Sequence, residues 1–250
     1  SLTLRAIEDS CPNLTKLVFT SRFRGSVSFD FNFERMAAHC PRLEELAVTA
    51  IDLPNERYGF GPHFNDHAAH LPSFQRLKVL RLISLSNCIS DMNVMMIAAS
   101  CTDLTTLEIP NALNLSDGSI NQLVDSCPNL SALLADGAPC CGAQGLDVLA
   151  SIAPRLTTLS LKNWTSSETS LWFLPQCAQL TRLNLSGISY GLTDDHMVEI
   201  GEHCACLNSI VLNRTDISDV GLASLAKCAW LNELAAHDMP YVKGWALGAW

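Results

Sequence analysis

Three histidines and an aspartate lie close together in the sequence, at His63, Asp66, His67 and His70. His63 and His67 are four residues apart, so on a helix they would share one face and could bind zinc. No glutamate follows His63, however, and Pro62 directly precedes it. We therefore interpret the segment as a polar loop that leads into a short helix, and we predict neither a metal site nor a cofactor.

The sequence also lacks the short motifs that position a nucleophile or a phosphate. It contains no Gly-x-Ser-x-Gly turn, no phosphate-binding loop and no Gly-x-Gly-x-x-Gly fingerprint. A catalytic site assembled only in space stays open, and substitution of His67 would test it. The sequence predicts a protein that is not an enzyme.

Cysteine is frequent, with 11 residues in the chain, but its spacing does not fit metal or redox chemistry. The close pairs, Cys140–Cys141 and Cys204–Cys206, lack the Cys-x-x-Cys spacing. Seven cysteines share one position before a leucine motif, which indicates small buried side chains. They are Cys11, Cys40, Cys101, Cys127, Cys177, Cys204 and Cys228. Unpaired cysteines in this number favour a reducing compartment, the cytoplasm or the nucleus.

Asn-x-Ser/Thr sequons, which can indicate a secreted protein, are interpreted as a by-product of the repeated sequence. Asn13 and Asn129 directly precede leucines expected in the core, and Asn184 lies within a predicted strand. A glycan at these positions would be hard to place.

Composition excludes several classes of protein. The chain has 250 residues, of which 48% are hydrophobic and 16% charged, and this composition does not fit a disordered segment. Its formal charge of −9 argues against nucleic acid as a partner, because a phosphate backbone requires a basic face. No uncharged apolar run reaches the roughly 18 residues that a membrane-spanning helix needs, so we predict no membrane insertion.

The motif Leu-x-x-Leu-x-Leu occurs nine times, with occasional apolar replacements. The first leucines of the copies are Leu14, Leu43, Leu77, Leu104, Leu130, Leu156, Leu180, Leu207 and Leu231. Their spacing of 24 to 34 residues, mostly in the twenties, is typical of leucine-rich repeats.

The repeat predicts a strand followed by a helix. In Leu-x-Leu both leucines face one side of a short strand, and parallel strands about 4.8 Å apart would stack into a solenoid with a leucine core. In the second half, Ser218 or Asp219 can cap a helix whose buried side carries Leu222 and Leu225. We predict one domain over residues 1–250, an α/β leucine-rich repeat solenoid or horseshoe. Its parallel strands would form the concave face and its helices the convex face.

The ends of the sequence lack the polar caps that solenoids normally carry. The first residue is Ser1, not Met, and Trp245 and Trp250 lie near the last one. We therefore expect a fragment of a longer chain, in which a following repeat or a partner covers the two tryptophans.

The sequence resembles the cysteine-containing class of leucine-rich repeats found in F-box/LRR proteins. That family carries Cys-x-x-Leu-x-x-Leu-x-Leu, then a second cysteine, then Ile-Ser/Thr-Asp-x-Gly-Leu. Here Cys127-Pro128-Asn129-Leu130 fits the first part, and Ile217 to Leu222 fits the helix start. The second cysteine is replaced in all nine copies, and no F-box is visible. The resemblance implies a partner-recognition solenoid of a ubiquitin-ligase adaptor.

The concave face of such a solenoid is its usual binding surface. The residues beside the strand leucines mix charges with apolar side chains, among them Val79, Ile83, Leu134 and Val211, which we expect to be exposed. That mixture favours a protein partner, although ordinary surface residues would also explain it. The candidate contact residues are Arg81, Glu108, Leu134, Asp136, Lys162, Arg182, Asn213, Glu233 and His237.

The longest repeat interval, between Leu43 and Leu77, contains an insertion of roughly residues 53–64. It carries Tyr58, Phe60 and Phe64, and aromatic side chains on a solenoid loop are good anchors for a partner. The alternative is a loop folded over its own repeat.

The sequence therefore favours a protein–protein interaction module, with ubiquitin-ligase scaffold subunits as possible partners. The alternative is a structural subunit of a large cytoskeletal or organellar assembly, and an enzyme inhibitor of the ribonuclease-inhibitor type ranks third. Fold alone does not identify the partner.

Overall fold

The computed structural model describes residues 11–22, 33–51, 69–83, 89–110, 115–137, 143–164, 171–188 and 190–244. Nine parallel strands form one open sheet, in chain order. The strands are β1 (Lys16–Arg22), β2 (Glu45–Ile51), β3 (Val79–Ile83), β4 (Thr106–Glu108), β5 (Ala132–Leu134), β6 (Thr158–Ser160), β7 (Arg182–Asn184), β8 (Ser209–Val211) and β9 (Glu233–Ala235). The predicted leucine-rich repeat solenoid is confirmed.

The register of the sheet follows the leucines. The central apolar residue of each strand pairs with that of the next strand at every junction. These residues are Leu17, Leu46, Leu80, Leu107, Leu133, Leu159, Leu183, Ile210 and Leu234, and all except Leu234 are buried. Burial of one leucine stabilises the fold by about 1.5–3 kcal/mol, so this ladder fixes which side of each strand faces the core.

The chain returns between strands through helices on the other side of the core. The α-helices of the described residues are α1 (Phe33–His39), α2 (Asp91–Ser100), α3 (Asp117–Ser126), α4 (Ala143–Leu149), α5 (Asp194–His203) and α6 (Asp219–Ser224). The apolar residue four positions before the repeated cysteine is buried at Met36, Ile97, Leu123 and Ile200. No helix in the described part of the chain is long and apolar enough to cross a membrane.

Proline shortens the helical half of some repeats. The described return segments before β3 and β7 contain 3-10 helices of three residues, Leu71–Ser73 and Leu174–Gln176, and each has a proline at its start. Proline has no N–H and clashes with the preceding turn, so an α-helix cannot run through it. The repeated α-helix expected from the sequence is therefore not uniform.

A carboxylate at the start of one helix holds the start of the next. Asp91 accepts hydrogen bonds from the backbone N–H and from Oγ of Ser116, both at 2.8 Å. Asp194 does the same for Ser218, at 2.9 Å and 2.5 Å. N–H groups at a helix start have no partner within the helix, so these aspartates satisfy them from the neighbouring repeat.

The same contact explains the glycine of the Asp-x-Gly motif. Gly145 donates its N–H to Oδ1 of Asp117 at 2.9 Å. A Cβ at Gly145 would lie 2.5 Å from that oxygen, and one at Gly221 would lie 2.4 Å from Oδ1 of Asp194. Both distances are too short for a side chain, so this position stays small wherever the preceding aspartate reaches it.

One buried histidine takes the place of that glycine, a feature that sequence analysis missed. His196 is 3% exposed, and its Nδ1 accepts a hydrogen bond from the Thr193 backbone N–H at 3.3 Å. Its Nε2 is buried and has no hydrogen-bond partner among the described residues, and Trp172 stacks on the ring at a centroid distance of 4.0 Å. Burial lowers the pKa of His196, partly offset by the charge of Asp195. The Trp172 ring would attract an imidazolium, but desolvation has the larger effect.

Loss of the inter-repeat carboxylate should weaken the fold. We expect Asp194→Ala to lower the free energy of unfolding by about 2 kcal/mol, because Ser218 loses two charge-assisted hydrogen bonds. Asp195→Ala is the matched control, since Asp195 is exposed on the same turn. Its effect should stay within about 0.5 kcal/mol. Urea denaturation at pH 7.5 measures both, and equal losses would contradict the role assigned to Asp194.

His196 should make stability depend on pH. Its pKa in the folded chain is below the ordinary value of 6.5, so the unfolded chain binds more protons when the pH falls below that value. The free energy of unfolding should therefore decrease from pH 7 to pH 5. His196→Asn should reduce this decrease, because Asn93 makes the equivalent cap for Ser90 at 2.9 Å without titrating.

Denaturant titrations across that pH range measure the effect. His203→Asn is the control, since His203 is exposed at the end of the same helix. The assignment to His196 would be contradicted if the free energy of unfolding still decreased in His196→Asn as it does in wild type and did not decrease in His203→Asn.

Candidate protein-binding surface

Three rows of side chains cross the concave face. Row one precedes the central core residue of each strand and contains Lys16, Glu45, Val79, Thr106, Ala132, Thr158, Arg182, Ser209 and Glu233. Row two follows that residue and contains Val18, Ala47, Arg81, Glu108, Leu134, Ser160, Asn184, Val211 and Ala235. Row three lies two residues further on and contains Thr20, Thr49, Ile83, Pro110, Asp136, Lys162, Ser186, Asn213 and His237. The structure thus brings the nine strand candidates from the sequence onto one face.

A left-handed turn positions row three in the later repeats. The residues directly after it have positive φ angles: Gly137, Asn163, Gly187, Arg214 and Asp238. The N–H of Gly137 donates to the carbonyl of Lys162 at 2.6 Å, and that of Arg214 donates to the carbonyl of His237 at 2.8 Å. These bonds extend the ladder beyond the short strands and hold the row-three backbone in register.

Ion pairs link the charges of the first four strands. Glu45 lies 2.9 Å from Nζ of Lys16 on one side and 2.9 Å from Arg81 on the other. Nε of Arg81 also lies 3.3 Å from Glu108. The chain of alternating charges therefore runs Lys16–Glu45–Arg81–Glu108 across β1 to β4.

The two glutamates in this chain differ in electrostatic environment. The hydrogen bond from Lys16 is the main reason that the pKa of Glu45 is lowered. Burial raises the pKa of Glu108, although Arg81 opposes it, and the charge of Asp136 adds to the increase. Of the two glutamates in the ion-pair chain, Glu108 is therefore the one that is protonated more readily as the pH falls.

Asp136 is oriented by the neighbouring repeat. It accepts a hydrogen bond from Oγ of Ser160 at 2.5 Å and one from the Lys162 backbone N–H at 3.2 Å. These two donors fix the carboxylate at the end of β5 but bring no opposite charge to it.

Other charges of the later strands are unpaired. The side chains of Lys162, Arg182 and Glu233 make no hydrogen bond or ion pair within the described residues. Arg182 and Glu233 are exposed, and Lys162 is half-buried. His237 is also exposed, and its backbone N–H donates to Oδ1 of Asn213 at 2.8 Å. The Asn213 side chain therefore helps to hold the backbone of the turn that begins at His237.

The apolar side chains of the face are less exposed than the sequence suggested. Val79, Ile83, Leu134 and Val211 are all half-buried. Val18 on β1 is the exception, at 57% exposed. The exposure that the sequence predicts for those four side chains is therefore only partial.

The aromatic insertion stays a prediction. Tyr58, Phe60 and Phe64 lie outside the described residues, and the chain enters this segment from the carboxyl end of β2. His63, Asp66 and His67 also lie outside them. His70 is described, directly before the Leu71–Ser73 helix, with Nε2 4.0 Å from Glu34. Within the described residues no group of three or more His, Cys, Asp or Glu could hold a metal ion.

Six of the seven repeated cysteines form a buried line that stabilises the helix ends, and the seventh, Cys11, is half-buried. The thiol of Cys101 donates to the carbonyl of Phe74 at 3.3 Å, and that of Cys204 donates to the carbonyl of Leu174 at 3.4 Å. Burial raises the pKa to about 12 for Cys101, Cys177 and Cys204 and to about 11 for Cys127. A thiol protonated at neutral pH is a poor nucleophile and a poor metal ligand.

The sequons are more accessible than expected. The side chains of Asn13 and Asn129 are exposed, so a neighbouring core leucine does not bury them. Asn184 is half-buried, and its Oδ1 accepts a hydrogen bond from the Ser186 N–H at 3.0 Å. The steric argument against glycans therefore holds only for Asn184.

Thiol labelling should separate the buried line from the surface. In the native protein at pH 7.5, iodoacetamide should modify the exposed Cys206. It should leave Cys101, Cys127, Cys177 and Cys204 unmodified, because the reagent reacts with the thiolate. Mass spectrometry of the digested protein gives the site-by-site yield. A urea-unfolded sample is the control, and equal labelling of the line before unfolding would contradict the buried arrangement.

Comparison with known proteins identifies the fold. No family model matches the sequence. Among solved structures, the chain is similar to one in the crystal structure of the Rad7 and Elc1 complex from yeast, with a TM-score of 0.55 and 17% sequence identity. The match covers 81% of this chain and 58% of that chain, so this chain spans less than two thirds of its length. The likeness shows that the two share an open repeat fold.

Proposed function

We propose that this chain is a protein–protein interaction module, the partner-recognition solenoid of an F-box/LRR-like ubiquitin-ligase adaptor. The observation that carries the interaction role is the concave face. Helices pack on one side of the described sheet, while the other side presents three rows of charged, polar and half-buried apolar side chains. A broad open surface of this mixed composition suits a protein partner.

The adaptor role rests on two supports. The Cys-x-x-Leu and Ser-Asp-x-Gly-Leu motifs resemble those of F-box/LRR proteins. The similar yeast structure contains two proteins in complex, which supports a repeat fold that assembles with other proteins.

The proposal includes binding without catalysis and a reducing compartment, the cytoplasm or the nucleus. The high thiol pKa values support the first point. The described cysteines are all free thiols, which supports the second, because oxidising compartments favour disulfides.

Affinity purification of the full-length protein, followed by mass spectrometry, tests the adaptor role. Ligase scaffold subunits should be enriched over an unrelated bait. Tyr58→Ala/Phe60→Ala should reduce substrate recovery if the aromatic insertion anchors the substrate, because a truncated anchor loses its buried contact area. Asn55→Ala/Asn65→Ala, in the same segment, is the matched control and should have no effect.

Each other outcome has a defined meaning. Absence of scaffold subunits from the wild-type eluate would reject the adaptor role. A fixed set of proteins recovered in equal amounts would support the structural-subunit alternative instead. If the aromatic variant recovers everything that wild type does, the insertion is not the anchor and the concave face remains.

A further inference from the structure

The two halves of the concave face differ in whether their charged side chains form ion pairs with each other. We call β1 to β4 the paired half and β5 to β9 the open half. All four charged residues in the rows of the paired half, Lys16, Glu45, Arg81 and Glu108, belong to one chain of ion pairs. A partner's charged group placed there would compete with a side chain that is already in contact. This half therefore attracts charged groups of a partner only weakly.

The open half keeps its charges available. Lys162 and Arg182 lie on consecutive repeats, and neither pairs with a carboxylate among the described residues. Glu233 lies two strands beyond Arg182 in the same row, roughly 10 Å away at the usual strand spacing, and it too has no ion pair within the described part of the chain. Asp136 precedes them on β5, beside Lys162 in row three, where Ser160 and the Lys162 N–H hold it. Along the solenoid axis, the charges of the open half that form no ion pair within the described residues therefore run anion, cation, cation, anion.

Row two of the open half carries no charge. It runs Leu134, Ser160, Asn184, Val211 and Ala235. Leu134 and Val211 are half-buried and lie beside the unpaired charges. Interfaces commonly combine a central apolar strip with charged groups at its sides, because the strip supplies buried area and the charges supply orientation.

We infer that partner recognition is concentrated on the open half, and that it accepts a protein segment of complementary polarity. The segment carries an acidic side chain opposite Arg182, near Lys162 of the preceding repeat, and a basic side chain opposite Glu233, roughly 10 Å beyond the one opposite Arg182. An apolar side chain between these two groups contacts Val211, and another, beyond the acidic end, contacts Leu134. This inference deepens the proposed function and rests on it.

The spacing defines the segment further. An extended chain rises about 3.3 Å per residue, so its acidic and basic groups would be about three residues apart. On a helix, which rises 1.5 Å per residue, they would be about seven residues apart. A partner with its charges in the opposite order would meet like charges and would be rejected.

A charge reversal on the open half and a pair of introduced charges on the paired half test the inference in the full-length protein. The open-half variant is Arg182→Glu/Glu233→Arg, and the matched paired-half variant is Val18→Lys/Thr20→Glu. Both variants replace exposed residues and leave the net charge of their half unchanged, and neither breaks an ion pair of the described residues. Thermal melts that match wild type confirm folding. We expect the open-half variant to recover the wild-type substrate proteins at least about tenfold less, and the paired-half variant to recover them fully.

A second readout uses the recovered partner itself. Its affinity for wild type should fall as salt rises from 50 to 300 mM, because exposed charges are screened. The open-half variant should lose most of this dependence.

The remaining outcomes overturn the inference. Loss of binding only in the paired-half variant, in both variants, or in neither would each show that recognition is not concentrated on the open half. If wild type itself recovers no protein beyond the unrelated bait, the proposed function fails and the inference fails with it. Recovery of partners by wild type therefore separates the two failures.

Discussion

The stacking of each core leucine on the leucine of the next repeat is the constraint on which the rest of the structure depends. A slip of one residue would turn the apolar side chains of a strand toward solvent, so the register Leu107–Leu133–Leu159 leaves no alternative. With that register fixed, the residues before and after each leucine fall into rows across the sheet. Those rows can change in sequence without cost to the core, which is what a recognition surface requires.

Polar groups at the repeat junctions complete the stacking. A solenoid leaves N–H groups at each helix start and carbonyls at each helix end without partners. Asp194 satisfies the start of the following helix, and the Cys101 thiol reaches the carbonyl of Phe74 in the preceding repeat. Residue types that could do chemistry are thus used in packing. His196 is a further example, because its Nδ1 caps a helix while burial opposes its protonation.

The electrostatics of the concave face follow from the same geometry. In β1 to β4, side chains of opposite charge occupy adjacent or diagonal positions, so Arg81 reaches both Glu45 and Glu108. Later strands place small or polar residues beside Arg182, and Lys162 contacts the adjacent Asp136 through its backbone N–H only, so these charges form no ion pair within the described residues. The first arrangement ties strands together, and the second leaves charge for another molecule. One sheet can therefore combine an end where the charged side chains pair with each other and an end where they are available to another molecule.

The sequence by itself determined the strands, their order and the rows, because each repeat contacts only its neighbours and a period of two places every strand residue on a face. It also located the buried cysteines and the helix starts. Tertiary structure decided which charges pair, since Arg81 and Glu108 come from strands 27 residues apart, and how far Leu134 and Val211 are covered. It also decided that His196 is buried beneath Trp172. Pairing and burial depend on distances between repeats, and a linear pattern does not contain those distances.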